Sequence, residues 1–439
     1  MRPLLITNGM IIDPGRGIDA PGDLLIAESK IASMAGKYGY DADYDIMNAA
    51  GLVVCPGFID FHCHLRQPGF EEKETIATGT LAAARGGFTT VCCMPNTNPP
   101  IDNVDVLDYV NNISAAEGVV RVLPFGCITI GRAGKILTDM EWLAESGAVA
   151  FSDDGDTVGD ANLMRRAMEL SKKIGVPISD HCEDPALIAG GQMNEGEIAQ
   201  RLGLQGIPPA AEENIVARDI ELARQTGAQI HIAHVSTAGS VEIIRKAKKD
   251  GVKVTAEVTP HHLTMTEDAV TGYNTNAKVN PPLRKQRDID ALIKGLRDDV
   301  IDIIATDHAP HTAKEKSLDF IRAPFGISGL ETALGSLMAL VHRGDININL
   351  LVAALTANPA RIIGERFGKL GSLDIGCTAD ITIFDPDKEW IVDAEKFASK
   401  GKNTPLNGKK LRGKVMATIC GGNIVYRDDS LLISSGGGR

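Results

Sequence analysis

From residue 58 to residue 342 the chain repeats one texture: a short apolar run, a turn, then a stretch in which apolar residues recur every three or four positions. Runs of the first kind, bounded by Gly, Pro or Asp, read as buried strands, and the recurring stretches read as amphipathic helices. The pattern predicts strands at 58 to 62, 88 to 93, 121 to 126, 148 to 152, 176 to 180, 229 to 233, 252 to 258 and 301 to 305. Helices are predicted between or after them at 73 to 85, 103 to 116, 139 to 145, 160 to 174, 211 to 226, 239 to 249, 285 to 297 and 328 to 342. Eight parallel strands with eight crossovers predict an α/β fold, a (β/α)8 TIM-like barrel.

The two ends read differently. Residues 4 to 12, 23 to 27 and 31 to 34 are short apolar runs broken by Gly, Pro and Asp, and 379 to 384, 390 to 392 and 415 to 426 behave alike, with turns expected at Gly376, Asp385-Pro386 and Gly421-Gly422. Neither end can close a core alone, so the two are expected to pack together as one small β-sandwich. The chain then divides into 1–55 and 366–439, the two parts of the sandwich, around a barrel at 56–365. Ser434 to Arg439, with three glycines, reads as a loose end.

Size and composition narrow the class. At 439 residues, with 44% hydrophobic and 23% charged residues, the chain is an ordinary globular protein large enough for one big domain and a small one. A net charge of −12 leaves no basic stripe to neutralise phosphates and argues against nucleic acid as a partner. No 18 apolar residues follow one another, and the first residues carry too short an apolar run for a signal peptide, so a cytoplasmic enzyme with no membrane partner is expected. Eight cysteines without any C-x-x-C fit that compartment as reduced thiols. Cys92 and Cys93, adjacent in a strand, are expected to face opposite sides.

The candidate chemistry starts at Asp60-Phe61-His62-Cys63-His64. On an extended chain alternate side chains share a face, so Asp60, His62 and His64 are expected to point one way, and Phe61, Cys63 and Leu65 the other. Two imidazoles converging on one point suit a borderline metal such as zinc. The other outstanding polar residues fall at equivalent places: Asp153-Asp154 after the fourth strand, His181 after the fifth, His234 after the sixth and Asp307 after the eighth. In a (β/α)8 barrel those strand ends share the face where active sites are built. His231, inside the sixth strand, reads as core, His342 as surface, and Asp60 as a buried partner orienting a histidine. The polar stretch Ala309 to Phe325 reads as a mobile lid.

With these residues in place the sequence resembles the dihydroorotases of the amidohydrolase superfamily, in their longer bacterial form. Asp60-Phe61-His62-Cys63-His64-Leu65-Arg66-Gln67-Pro68-Gly69 matches that family's first signature, and Ala305-Thr306-Asp307-His308-Ala309-Pro310-His311 with Lys316 its second. Met94 to Thr97, Phe151 to Gly155, Asp180 to Asp184, Val258 to His262, Val279 to Arg284 and Ala323 to Gly326 are further family-like stretches. The resemblance implies that His62, His64 and Asp307 hold one zinc and that His181 and His234 hold a second. It also implies that Asp154 bridges them; Asp153 competes for that role, and family register favours Asp154. One or two Zn2+ per chain are expected. Cys63 stands where the family more often has an aliphatic residue, a departure expected to touch packing alone.

The same resemblance implies the interconversion of L-dihydroorotate and N-carbamoyl-L-aspartate in pyrimidine biosynthesis, by attack of metal-bound hydroxide on the ring amide. Bound zinc brings a water's pKa near 7, and Asp307 beside it can take the proton and return it to the leaving nitrogen, or serve as a ligand alone. Arg66 offers a planar fork for the substrate carboxylate, or a salt bridge to Glu71 or Glu72. Asn96, Asn280 and His311 match family positions that contact the carboxylate and ring. His261, His262 and His308 are left with supporting hydrogen bonds. The rival readings are a hydantoinase or allantoinase, whose bridging lysine has no counterpart between Lys135 and Lys172, and an inactive scaffold for aspartate carbamoyltransferase, which would be expected to lose ligands. A homo-oligomer and association with that transferase are expected partnerships.

Overall fold

The computed structural model describes residues 2–34, 44–188 and 190–436. The chain opens with five strands, β1 (Leu4–Asp13), β2 (Ile18–Ala27), β3 (Lys30–Met34), β4 (Tyr44–Asn48) and β5 (Val53–Pro56). The barrel follows as β6 (Phe58–Cys63), β7 (Phe88–Cys93), β8 (Arg121–Pro124) and β9 (Ile178–Asp180). A small two-stranded excursion, β10 (Met193–Asn194) with β11 (Gly206–Ile207), precedes β12 (Ile230–Ile232), β13 (Val254–Val258) and β14 (Ile303–Ile304). Four strands complete the chain: β15 (Ile381–Ile391), β16 (Lys410–Cys420), β17 (Asn423–Arg427) and β18 (Ile433–Gly436).

The barrel closes through parallel pairing of β6 with β7 and β7 with β8, and of β9, β12, β13 and β14 in turn. The predicted fourth strand, 148 to 152, spans the gap, although only Phe151 has regular bridge geometry, to Gly126 on one side and Ile178 on the other. Its backbone is nonetheless paired: Val149 donates to Pro124, Phe151 to Pro177 and Ser152 to Gly126. Pro124 and Pro177 have no N–H to return, and that interrupts the ladder on both sides. The circle is completed at its rim, where His64 N–H donates to His308 O at 2.8 Å and Asp307 N–H to His62 O at 2.9 Å.

Crossover helices lie at 76–86, 104–117, 140–145, 161–174, 210–226, 238–249, 286–297 and 333–342, within a few residues of expectation except for the first and last starts. The first starts at its cap, where the Thr75 hydroxyl accepts the Thr78 N–H; the last is preceded by a separate 3-10 turn at 330–332. Side chains of Asn103, Asp139, Asp160 and Thr237 cap others in the same way. Gly87, at φ 91°, ends the first helix and sits so close to Phe58 and Thr382 that a Cβ there would lie 2.8 to 3.0 Å from their carbons.

Ile59, Phe61, Cys92, Leu123, Phe125, Ile303 and Ala305 form a cluster of strand residues, closed by Ile362 and Ile363 from the helix at 357–363. A larger cluster joins the strands to the helices and includes Phe58, Cys63, Leu65 and Cys93. Cys92 and Cys93 therefore do face different cores. Strict alternation fails in β6, where register shifts between Phe58 and Ile59 and between Asp60 and Cys63 send Phe61 to the first cluster and Cys63 to the second.

Both chain ends share one nine-stranded sheet, in the order β17-β16-β15-β5-β1-β2-β3, with β4 pairing β1 and β18. The key seam is β15 against β5, with Ile381 opposite Pro56 and Phe384 opposite Val53. This sheet covers a core of its own, including Ile6, Leu24, Met47, Val54, Ile381 and Ile419. Two expectations are corrected here. Asp385-Pro386 is an irregularity inside one strand that resumes at Glu389, because β16 runs past it and continues the pairing. Ser434 and Ser435 are not loose: β18 pairs antiparallel with β4, and 437 to 439 lie outside the described residues. Among the described residues no helix is long and apolar enough to cross a membrane.

Candidate metal centre

The strand ends bring six side chains to one point. His62 Nε2 lies 3.3 Å from Asp154 Oδ1 and 3.6 Å from Asp307 Oδ1; His64 Nε2 lies 3.0 Å from Asp307 Oδ1 and 3.6 Å from Asp154 Oδ2. Asp154 Oδ1 also faces His181 Nδ1 at 3.7 Å and His234 Nε2 at 3.8 Å, and those two nitrogens are 2.8 Å apart. Ligand atoms of His62, His64 and Asp307, and of His62, Asp154 and His234, lie within 4.8 Å of one another, all buried. His234 and Asp307 reach the cluster with φ of 30° and 44°, a left-handed conformation that costs energy outside glycine and collects at functional sites.

Electrostatics point the same way. Burial works against a charged His62, yet Glu257 and Asp154 raise its pKa well above the ordinary value. Burial opposes charge on His181 too, but Asp154 and Glu183 hold its pKa up at about 10. Burial would raise Asp154 and Asp307, whereas the surrounding imidazoles drive both carboxyls well below the usual range. The neighbouring carboxylates thus hold on His62 and His181 protons that a divalent cation would displace, whereas burial and the Arg66 charge lower the pKa of His64. His62 Nε2 is buried with no hydrogen-bond partner, and its other nitrogen is occupied. The donor set, imidazole and carboxylate, suits zinc-type coordination.

Asp153 is not part of this cluster. Its carboxylate accepts N–H bonds from Ile128 at 2.8 Å and Thr129 at 3.0 Å, and the Thr129 hydroxyl. The four residues expected around a substrate surround the cluster. Arg66, at φ 63°, donates Nε to Pro310 O at 3.3 Å, and its Nη2 lies 3.4 Å from His311 Nε2; among the described residues it makes no salt bridge to Glu71 or Glu72. His311 Nε2 also donates to Phe325 O at 2.8 Å. Asn96 Oδ1 lies 2.9 Å from His64 Nδ1, and its amide donates to Asp154 Oδ2 at 3.1 Å. Asn280 donates to Glu183 Oε2 at 3.1 Å and approaches His181 Nε2 at 3.4 Å.

Asp60 is buried and partners a histidine through the main chain: its carboxylate accepts the His62 N–H at 3.4 Å, together with the N–H of Thr306 at 2.8 Å and the Thr306 hydroxyl at 2.5 Å, which fastens the last barrel strand to the first and leaves the imidazole ring to another residue. Burial pushes its pKa up to about 7 against those bonds. The residue that orients His62 is Glu257, an unforeseen carboxylate at 2.6 Å from His62 Nδ1. Burial would raise it, but His62 and His231 hold its pKa down at about 2. Little in the sequence signalled this role, because Glu257 follows Lys253 and Thr255 on the polar face of an alternating strand.

His308 accepts Gly329 N–H at Nδ1 and faces Glu74 at 3.3 Å; His262 is bonded to Thr259 Oγ1 and Pro281 O. His342 bonds Pro386 O at the surface. The stretch read as a lid is tied down: Lys278 Nζ donates to Phe320 O and Ala323 O at 2.6 Å, Lys316 Nζ to Pro324 O at 2.9 Å, and Asn403 to Ala309 O and Gly326 O at 3.0 Å.

A closed barrel of eight parallel strands, carrying four imidazoles and two carboxylates at or just beyond the carboxyl ends of those strands, defines an amidohydrolase-fold barrel with a metal-type centre. Solved structures share the fold. L-hydantoinase (dihydropyrimidinase) from Arthrobacter aurescens superposes with a TM-score of 0.88 at 24% identity, covering 99% of this chain and 98% of that one. Dihydropyrimidinase from Brevibacillus agri NCHU1002 gives 0.85 at 23%, covering 99% and 97%. Residues 51–240 match the family described as Dihydro-orotase-like. Dihydroorotase of Thermoanaerobacter sp. (strain X514) is 52% identical over 97% of this chain and 98% of its own, and that of Aquifex aeolicus (strain VF5) is 51% identical over 98% and 100%. The chain belongs to the dihydroorotase family.

Proposed function

We propose that this protein is a dihydroorotase, interconverting L-dihydroorotate and N-carbamoyl-L-aspartate in de novo pyrimidine biosynthesis. The observation that carries the reading is the convergence of His62, His64, Asp154, His181, His234 and Asp307 beside the Arg66–His311 pair. In this reading His62, His64 and Asp307 hold one Zn2+, His181 and His234 a second, and Asp154 contacts both. When bound, the ions supply an acidified water and polarise the carbonyl of the ring amide. Asp307 is ionised at neutral pH, so it can take the proton of the attacking water and return it to the leaving nitrogen. In this reading Oδ1, which faces His64 and His62, is the metal-side oxygen and Oδ2 moves the proton.

Arg66 is the anchor for the substrate carboxylate. Its position between Pro310 and His311 sets a partly buried guanidinium at the edge of the cluster, where a bidentate grip on a planar anion is stronger than a point charge could give. Asn96 and Asn280, on opposite sides, are assigned to the substrate's polar groups. The terminal sheet supports a small domain of 1–55 and 366–439 around a barrel of 56–365, since each has its own core cluster. The expected two-layer sandwich, homo-oligomer and association with aspartate carbamoyltransferase go with this reading. Eight unpaired cysteines suit a reducing compartment such as the cytoplasm.

The test is hydrolysis of L-dihydroorotate, hydantoin and allantoin side by side by the isolated chain. Turnover of dihydroorotate alone is expected; turnover of hydantoin or allantoin with dihydroorotate untouched would overturn the reading.

A further inference from the structure

Glu257, next to last in β13, joins three groups on two other strands of the barrel. Oε1 accepts from His62 Nδ1 at 2.6 Å and from the His234 backbone N–H at 3.2 Å; Oε2 lies 3.1 Å from His231 Nε2. His231 is held in turn by Thr255 Oγ1, 2.9 Å from its Nδ1, and by the ring of Phe61, 5.0 Å away. The rings of the opposite half, His181 and His234, are braced less firmly. His181 has Glu183 at 3.5 Å, with a side chain 14% exposed against 0% for Glu257, and His234 Nδ1 is buried without a hydrogen-bond partner.

A neutral imidazole carries one proton for two nitrogens, and an acceptor at Nδ1 keeps it there, leaving the Nε2 lone pair free. In His62 that lone pair faces Asp154 and Asp307. The same oxygen of Glu257 also pins the backbone where His234 turns, at φ 30°, toward Asp154. One carboxylate therefore orients a ring from the first barrel strand and the main chain after the sixth. We propose that Glu257 is a positioning residue whose negative charge, through these two charge-assisted contacts, presets both halves of the metal centre. The inference rests on the metal reading given above.

Glu257→Gln is the sharpest probe. Two N–H donors converge on Oε1, so the amide oxygen would stay there and its NH2 would take the place of Oε2, where a tautomer of His231 can accept. Shape and bonding survive while the charge is lost. Zinc affinity is measured by competition with a chromophoric chelator at fixed pH, beside the thermal unfolding of the chelator-treated proteins. Glu257→Gln is expected to bind zinc about 10- to 100-fold more weakly, with chelator-treated unfolding close to wild type. Glu257→Asp, which restores the charge on a shorter stem, is expected to recover part of the affinity, and it serves alone if the amide variant does not fold. Zinc binding by Glu257→Gln, or by Glu257→Asp in that case, within about twofold of wild type would overturn the proposal while leaving the metal reading intact. Failure of the wild type to bind zinc would overturn both.

Discussion

The two halves of the centre are built differently. On one side His62 and His64 leave β6 while Asp307 follows β14, and the main chains of these segments are bonded to each other where the barrel closes. Each ring there is backed at its far nitrogen, His62 by Glu257 at 2.6 Å and His64 by Asn96 at 2.9 Å. On the other side His181 meets Glu183 and Asn280 only at 3.5 and 3.4 Å, and His234 Nδ1 has no hydrogen-bond partner. The contrast teaches that preorganisation is concentrated at the closing seam, and Asp154 reaches both sides from a fourth strand in which a single residue, Phe151, keeps regular bridges.

The most damaging change falls on the braced side. Asp307→Ala removes a ligand and the assigned base together, so kcat for dihydroorotate should fall at least about 10²- to 10⁴-fold; initial rates with zinc in excess check this, and activity near wild type would move the base elsewhere. Next comes the contrast itself. His62→Asn should abolish stoichiometric zinc, whereas His181→Asn should lose only the ion on its own side, as counted by metal analysis after desalting. Equal losses would mean that the bracing difference has no thermodynamic weight.

Arg66→Met is expected to keep its zinc but raise KM for dihydroorotate, lowering kcat/KM about 10- to 100-fold, in line with about 1.5–3 kcal/mol for a hydrogen bond to a charged group. Unchanged kinetics would take Arg66 out of the site. The smallest effect is one of protons. In metal-free protein the raised pKa of His181, about 10, contributes stability that is complete below its unfolded value of 6.5 and is lost as pH rises through about 10. The depressed Asp154 works in the opposite sense, contributing above 3.8 and losing its share as pH falls. Zinc must displace the His181 proton, so binding between pH 7 and 9 should release protons and tighten as pH rises. Calorimetry in two buffers of different ionisation enthalpy reads the release directly, and heats independent of buffer would contradict it.

Much of this was legible beforehand because polar residues at strand ends interrupt an apolar pattern. His62, His64, His181, His234 and Asp307 stood out on that ground alone, and the helices followed from their period and caps. Asp154 could be separated from Asp153 only by family register, since adjacent residues on an irregular strand carry no periodic signal. Glu257 stayed hidden because a buried acid in a strand is satisfied by rings that lie 26 and 195 residues away in sequence. Phe61 defeated strict alternation through the shifted register of β6, and the second partner of Asp60, Thr306, went unseen because it is 246 residues distant. The pairing of Ser434 and Ser435 rests on main-chain bonds that composition does not report.

The account stands on bound metal. Its most direct test is to strip the isolated chain with a chelator, return zinc in measured amounts, and follow dihydroorotate hydrolysis at each step. Activity should vanish on stripping and rise in proportion to the zinc restored, levelling at one or two ions per chain; full activity in the stripped protein would contradict it.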